Sequence, residues 1–179
     1  LRSVAEPSKE KSLRGAKDGF VEAMMMNIAL LRRRIRDNAL IFKIYAVGEV
    51  TKTDVALAYM KDRADQDMVK KMDQTLKQLR LRGLTVTEQT LVEALTGKKL
   101  SWCNPFPKVR YSQRPDIIAA HVEEGKLAVI VDNSPTVILL PAGIFDFLQD
   151  IDDYYFPLLT GNYFRFLRIL NIFVILFAT

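Results

Sequence analysis

At 179 residues the chain holds enough material for one ordinary domain or two small ones, and 49% hydrophobic with 26% charged residues is a globular composition that excludes a disordered tail. A single cysteine, Cys103, excludes an intrachain disulfide framework, and with a single histidine, His121, it argues against an independent structural zinc site. The formal net charge of +5 is modest and compatible with nucleic acid, an anionic membrane surface or plain solubility.

Residues 1–14 read as a charged lead-in or linker, with Pro7, Gly15 and Gly19 arguing against an early long helix. Leu1-Arg2-Ser3-Val4 do not open a signal peptide, because no apolar core follows the charge. Lacking an initiator Met, the numbering is expected to begin inside a longer protein. A helix is predicted over Asp18 to Asp37, with Phe20, Met24, Ile28, Leu31 and Ile35 on one face and Val21, Met25 and Ala29 widening it. Arg32, Arg33, Arg34 and Arg36 load its last turns with the charge that a helix C-terminus favours, and Asn38 ends it.

Alternation predicts strands over Ile41 to Val47 and Asp54 to Met60, joined as a hairpin through a short turn, with Val55, Leu57 and Tyr59 sharing a face. A second amphipathic helix is predicted over Asp67 to Leu79 through Met68, Met72, Leu76 and Leu79. A short strand over Leu84 to Val86 follows, then a helix capped by Thr87, with Leu91, Val92 and Leu95 inside and Gly97 closing it. Trp102-Cys103-Asn104-Pro105-Phe106-Pro107 breaks regular structure and reads as a hinge or a crossing strand.

Arg114-Pro115-Asp116 starts a helix with Pro in its first turn, Ile117, Ala120 and His121 as its packing face and Gly125 as its end. Leu127 to Val131 is a nearly all-apolar strand, as expected where both faces are covered. Asp132-Asn133-Ser134-Pro135 forms a turn in which Asp132 is expected to hydrogen-bond its own backbone; Thr136 to Leu140 is the next strand. A short helix through Phe145 and Leu148 and an acidic patch at Asp150, Asp152 and Asp153 precede Tyr154-Tyr155-Phe156. The sum is a mixed α/β fold in two small subdomains, 15–100 and 101–160.

From Tyr163 only Arg165, Arg168 and Asn171 interrupt an apolar run that reaches Thr179. A span of the bilayer needs ~20 apolar residues, and Ile169 to Ala178 supplies about half of that. A buried C-terminal helix or strand would show one apolar stripe, whereas these side chains surround a helix on every side. Residues 161–179 are therefore expected to begin a transmembrane helix. Tyr154, Tyr155, Arg165 and Arg168 suit the interface, where rings and guanidinium heads reach water from an apolar body.

No catalytic centre assembles. Cys103 and His121 have no local motif around them, Asp132 with Glu123 or Glu124 is a carboxylate pair of the kind any sequence supplies, and no strand or Gly-Lys-Ser/Thr sequence accompanies Gly15 and Gly19. Met24-Met25-Met26 reads as core. The arginine cluster is the best nucleic-acid lead, since Arg32 and Arg36 are an i,i+4 pair, but a solvated helix end or a protein contact explains it as well. Arg110, Arg114, Asp116 and Asp132 are candidates for a junction or a ligand cleft between the subdomains, and each fits equally a salt bridge or a turn contact. No cofactor or metal is expected.

Several segments together resemble the spore germination protein family, in particular the A subunit of germinant receptors. They are Gly15-Ala16-Lys17-Asp18-Gly19-Phe20 with Asn27 to Ile35, Val47-Gly48 with Thr51 to Val55, Pro105-Phe106-Pro107, and Arg114-Pro115-Asp116. Glu124 to Asp132, Ser134-Pro135, Asp153-Tyr154-Tyr155 and Arg165 with Arg168 complete the set, which spans nearly the whole chain. The resemblance implies two α/β subdomains on the cytosolic side of the spore inner membrane, with further α/β sequence upstream and several transmembrane helices downstream. It also implies B and C partner subunits, a homo-oligomer of A subunits forming an ion channel, and a small nutrient germinant as the signal. Two departures are visible: Ser112-Gln113 stands where the family commonly has Thr-Glu, and Asp132-Asn133 where it has Asp-Gly. Asn tolerates the left-handed backbone that Gly would occupy. The function expected is a non-enzymatic module for sensing, signal transmission and assembly, with a soluble basic nucleic-acid-binding protein as the alternative.

Overall fold

The computed structural model describes residues 10, 16–48, 52–79, 91–92 and 109–143, together with 166, 167, 170, 171 and 174. Its elements in chain order are α1 (Met24–Arg34), β1 (Leu40–Val47), β2 (Thr53–Met60), α2 (Gln66–Gln78), β3 (Arg110–Ser112), α3 (Pro115–Glu123), β4 (Leu127–Val131) and β5 (Val137–Leu140). The strands form one antiparallel sheet in the order β1-β2-β4-β5-β3. The mixed α/β class holds.

The sheet is central because three of its strands are apolar on both faces. Every residue of β4 and of β5 is buried, and so is β2 from Val55 to Met60, so each needs a layer above and below. On one side Ala56, Ala58, Met60, Ala128, Ile130, Val137 and Leu139 pack with Met24, Leu31, Ile118 and Val122 of α1 and α3. On the other, Val55, Leu57, Tyr59, Leu127, Val129, Ile138 and Leu140 pack with Val69, Met72 and Leu76 of α2 and with Leu91. Each such fully buried aliphatic side chain contributes about 1.5–3 kcal/mol relative to exposure.

The boundary expected at 100/101 does not separate the strands into different sheets. Val55 to Ala58 pair with Ala128 to Val131 across it, because β2 has no polar face to leave toward water. The hairpin, α2 and β4 match their predicted positions closely. Asp65 caps α2, its side chain accepting from the Asp67 N–H at 2.9 Å. Gly125 ends α3 at φ +97°, with the Gly125 N–H donating to Val122 O (3.0 Å) and the Lys126 N–H to His121 O (3.0 Å), a Schellman closure.

Helix α1 departs most from expectation. It starts at Met24, not near Asp18: Ala23 is extended at φ −77° and ψ 112°, and the Phe20 N–H is taken by Gln113 O at 2.8 Å. Asn27 is fully buried and its side-chain amide pairs with Val21, accepting from the N–H (2.8 Å) and donating to the carbonyl (2.6 Å). The buried stripe is accordingly Met24, Asn27, Leu30 and Leu31, and Met25 and Ala29 face solvent. The strand predicted at Leu84 to Val86, the Trp102 to Pro107 break and the helix through Phe145 and Leu148 lie outside the described residues.

Candidate functional site

The polar centre of the molecule lies where β3 meets α3. Arg114 is the N-cap residue of α3, extended at φ −105°, and its side chain has no exposure at all. A buried guanidinium requires both charge pairing and hydrogen bonds. Arg114 Nε donates to Asp116 Oδ1 at 3.0 Å and its Nη2 to Asp116 Oδ2 at 2.5 Å, a bidentate clamp. Nη2 also donates to Ala16 O at 3.0 Å and Nη1 to Glu10 O at 3.4 Å. Asp116 in turn accepts from the Ile117 N–H at 3.0 Å, placing a negative charge in the first turn of α3.

Glu10 completes this junction from the lead-in. Its Oε2 accepts from the Ser112 hydroxyl at 2.9 Å and from the Gln113 N–H at 2.7 Å, and Ser112 Oγ accepts from the Arg114 N–H at 3.1 Å. The lead-in is thereby stitched by charge-assisted bonds to a segment far along the chain. Ser112 and Gln113, the positions that depart from the family pattern, are the ones that receive Glu10. Sequence reasoning missed Glu10, since nothing local marks one glutamate among the charges of residues 1–14.

Asp132 lies elsewhere. It does not close its own turn as expected; Oδ1 accepts from the Met24 N–H at 3.0 Å and so caps α1, whose own N-cap residue, Ala23, has no side chain to do so. The neighbouring Asn133, left-handed at φ 64°, donates its N–H to Glu22 O at 2.8 Å. The β4–β5 turn therefore docks on the start of α1.

Arg110 faces His121 across β3 and α3, with Nη1 3.4 Å from Nε2. His121 is almost fully buried, its Nδ1 is 3.0 Å from Glu124 Oε2, and Lys126 Nζ stands 3.2 Å from the same nitrogen. A neutral ring with its proton on Nδ1 donates to Glu124 and accepts from Arg110 at once. Burial lowers the His121 pKa from its ordinary value, against the carboxylate of Glu124, and the Lys126 and Arg110 charges act in the same direction as burial. Of the four candidate residues, then, Arg114 and Asp116 are brought together, while Arg110 and Asp132 serve other contacts. Tyr154, Tyr155, Arg165, Arg168 and Cys103 lie outside the described residues. Among the described residues no group of His, Cys, Asp and Glu could hold a metal ion.

The arginine cluster bonds back onto the chain around its own helix end, although Arg32, Arg33 and Arg36 remain exposed. Arg32 donates to Asp37 O (3.0 Å) and Leu40 O (2.8 Å), and its guanidinium lies 5.3 Å from the Phe42 ring centroid. Arg33 pairs with Asp18 Oδ2 at 2.8 Å, Arg34 with Asp18 Oδ1, and Arg36 donates to Arg33 O at 3.3 Å. Arg32 and Arg36, the lead for duplex contact, thus bond to the carbonyls of Asp37, Leu40 and Arg33, and the geometry gives no support to a nucleic-acid role.

The described residues thus form a sheet layered between helices, with a buried ionic junction where β3 meets α3. Residues 1–179 match the family model described as Bacillus/Clostridium GerA spore germination protein, and the chain belongs to that family. It is 42% identical over 171 residues to Stage V sporulation protein AF of Bacillus subtilis (strain 168), covering 96% of this chain and 34% of that protein. Spore germination protein A1 of the same organism is 35% identical over 178 residues, 99% of this chain and 36% of the relative. The chain thus spans about a third of the length of these curated relatives. Among solved structures, the crystal structure of the N-terminal domain of the A subunit of the Bacillus megaterium spore germinant receptor GerK3 matches with TM-score 0.54 and 32% identity, over 70% of this chain and 97% of that one.

Proposed function

We infer that this chain is the non-enzymatic N-terminal module of a membrane-embedded germinant receptor A subunit or an A-like relative, passing a signal from the sheet into a membrane domain. The match to the GerK3 A-subunit domain carries this reading. In it, the protein as a whole works with B and C subunits and further copies of itself in the spore inner membrane, responds to a small nutrient and contributes to an ion channel, with this region on the cytosolic or core side. Arg114, Asp116 and Asp132 act as junction residues that hold the lead-in and α1 on the sheet; Arg110 orients His121 beside them.

The reading assigns residues 161–179 to the start of a transmembrane helix, with Tyr154, Tyr155, Arg165 and Arg168 coupling the module to lipid. Support comes from helical Phe166, Leu170 and Val174, which share a helix face and are 61%, 48% and 56% exposed. No helix among the described residues is itself long and apolar enough to cross a membrane. The test compares residues 1–179 with 1–162. The longer form should require detergent or partition into vesicles, and the shorter should be soluble with an unchanged cooperative unfolding transition. Equal solubility of both, or loss of that transition on truncation, would overturn the reading.

A further inference from the structure

Strand β3 is the weakest-held strand of the sheet. It ends the strand order, so β5 is its one strand neighbour among the described residues, and their ladder has three residue pairs. Side chains alternate across a strand, which puts Arg110 and Ser112 on the face toward α3 and Tyr111 on the other. That α3 face carries no apolar side chain. Arg110 meets His121 there, while Ser112 bonds to Glu10 and accepts from the Arg114 N–H. Strands β2, β4 and β5 turn alanine and aliphatic side chains to the same layer of helices. Apolar burial is indifferent to pH, whereas a seam made of an arginine and a histidine is not.

We propose that β3 is a detachable edge strand, docked on α3 while His121 is neutral and released when the ring takes a second proton. The charged groups that act on the ring among the described residues come from three places. Arg110 Nη1 of β3 lies 3.4 Å from Nε2, and Glu124 Oε2 at the end of α3 lies 3.0 Å from Nδ1. Lys126 Nζ, in the turn into β4, stands 3.2 Å from Nδ1. A second proton would sit on Nε2 and aim an N–H at the Arg110 guanidinium, donor against donor and positive against positive. Glu124, its side chain 54% exposed, is one carboxylate against three cations. The ring is fixed inside α3 at 1% exposure, so the short edge strand is the part that yields. The docked form thus binds the proton more weakly than the open one, and falling pH favours opening. Gln113 O holds the Phe20 N–H, and Ser112 and Gln113 hold Glu10, so the lead-in loosens together with β3. The inference does not depend on the sensing or membrane reading, because it concerns β3 and α3 alone.

The experiment measures amide hydrogen exchange by mass spectrometry on the full-length protein in detergent. Labelling is done at about pH 7.5 and about pH 5.5, either side of the ordinary histidine value, with times scaled for the intrinsic exchange rate. Exchange over Tyr111 to Gln113 should rise at least about threefold at the lower pH, with Phe20 following and Val129 to Val131 of β4 unchanged. His121→Gln should remove the rise, because the amide stays neutral. Arg110→Gln, which takes away the charge that repels the protonated ring, should cut the rise to about half or less. A flat response over Tyr111 to Gln113, an undiminished rise in His121→Gln, or an equal rise in β4 would overturn the proposal. Should His121→Gln fail to fold, Arg110→Gln decides alone, and an undiminished rise in that variant overturns the proposal.

Discussion

Two arginine–aspartate groups in one small structure share similarly buried carboxylates but differ in how far their guanidinium groups reach water. Arg114 and Asp116 form a bidentate pair whose guanidinium is fully buried; Arg33 and Arg34 share a largely buried Asp18, Arg33 with a side chain 62% exposed and Arg34 with one 22% exposed. The functional groups are the same, yet their energetic weights differ, because removing one partner from a buried pair strands the other without water. Where the guanidinium reaches water, as in Arg33, solvent and salt screen the pair. Position in the fold, more than residue type, decides which charges hold this molecule together.

The largest effect should follow from breaking the buried pair. Arg114→Met is expected to cost about 3–5 kcal/mol in chemical denaturation, because Asp116 and the carbonyls of Glu10 and Ala16 lose their donors. The double variant Arg114→Met/Asp116→Leu should recover some of that loss, since no lone charge remains inside. A double variant less stable than the single one would mean that Asp116 acts mainly on the first turn of α3. Next in size, Asp132→Ala should cost about 1 kcal/mol by uncapping α1 from another element, read as a lower thermal midpoint. Arg33→Ala should cost less than about 1 kcal/mol and lose even that in high salt, whereas the Arg114→Met loss should persist. A salt-sensitive Arg114 effect would collapse the contrast between the two sites.

The smallest effects are slopes against pH. His121 is held neutral by burial, so as pH falls below the ordinary histidine value the unfolded chain takes a proton first and stability declines; His121→Gln should flatten that limb. Asp73, which accepts from Lys77 and Tyr45, is held at about 2 against an ordinary 3.8. Its contribution is present above the ordinary carboxylate range and disappears as pH falls toward 2, and Asp73→Asn should abolish that limb in acid titration of unfolding.

The elements with simple periodicity were legible. Alternation marked β1 and β2, an unbroken apolar run marked β4, and the spacing of Met72 and Leu76 marked α2, because local pattern reports local burial. What lay hidden was long-range. The start of α1 is set by Gln113 and Asp132, both remote in sequence, and a buried Asn27 stands where an apolar stripe was sought. Arg114 and Asp116 could be named as a pair because Pro115 between them announced a helix start. Their contact with Glu10 could not, since periodicity carries no information about which distant segment returns. The pairing of β2 with β4 across residue 100 was hidden for the same reason: β2 read alone shows a hairpin strand, and only its second apolar face hints at another neighbour.

That second neighbour has a consequence for the order in which the molecule can be made. The β1–β2 hairpin is local and can close while the ribosome is still extending the chain. Its inner strand nevertheless keeps one greasy flank open until Leu127–Val131 has been synthesised and reaches it. A nascent chain in that interval is a half-built sheet awaiting its centre, the stage at which such proteins are most prone to stick to one another.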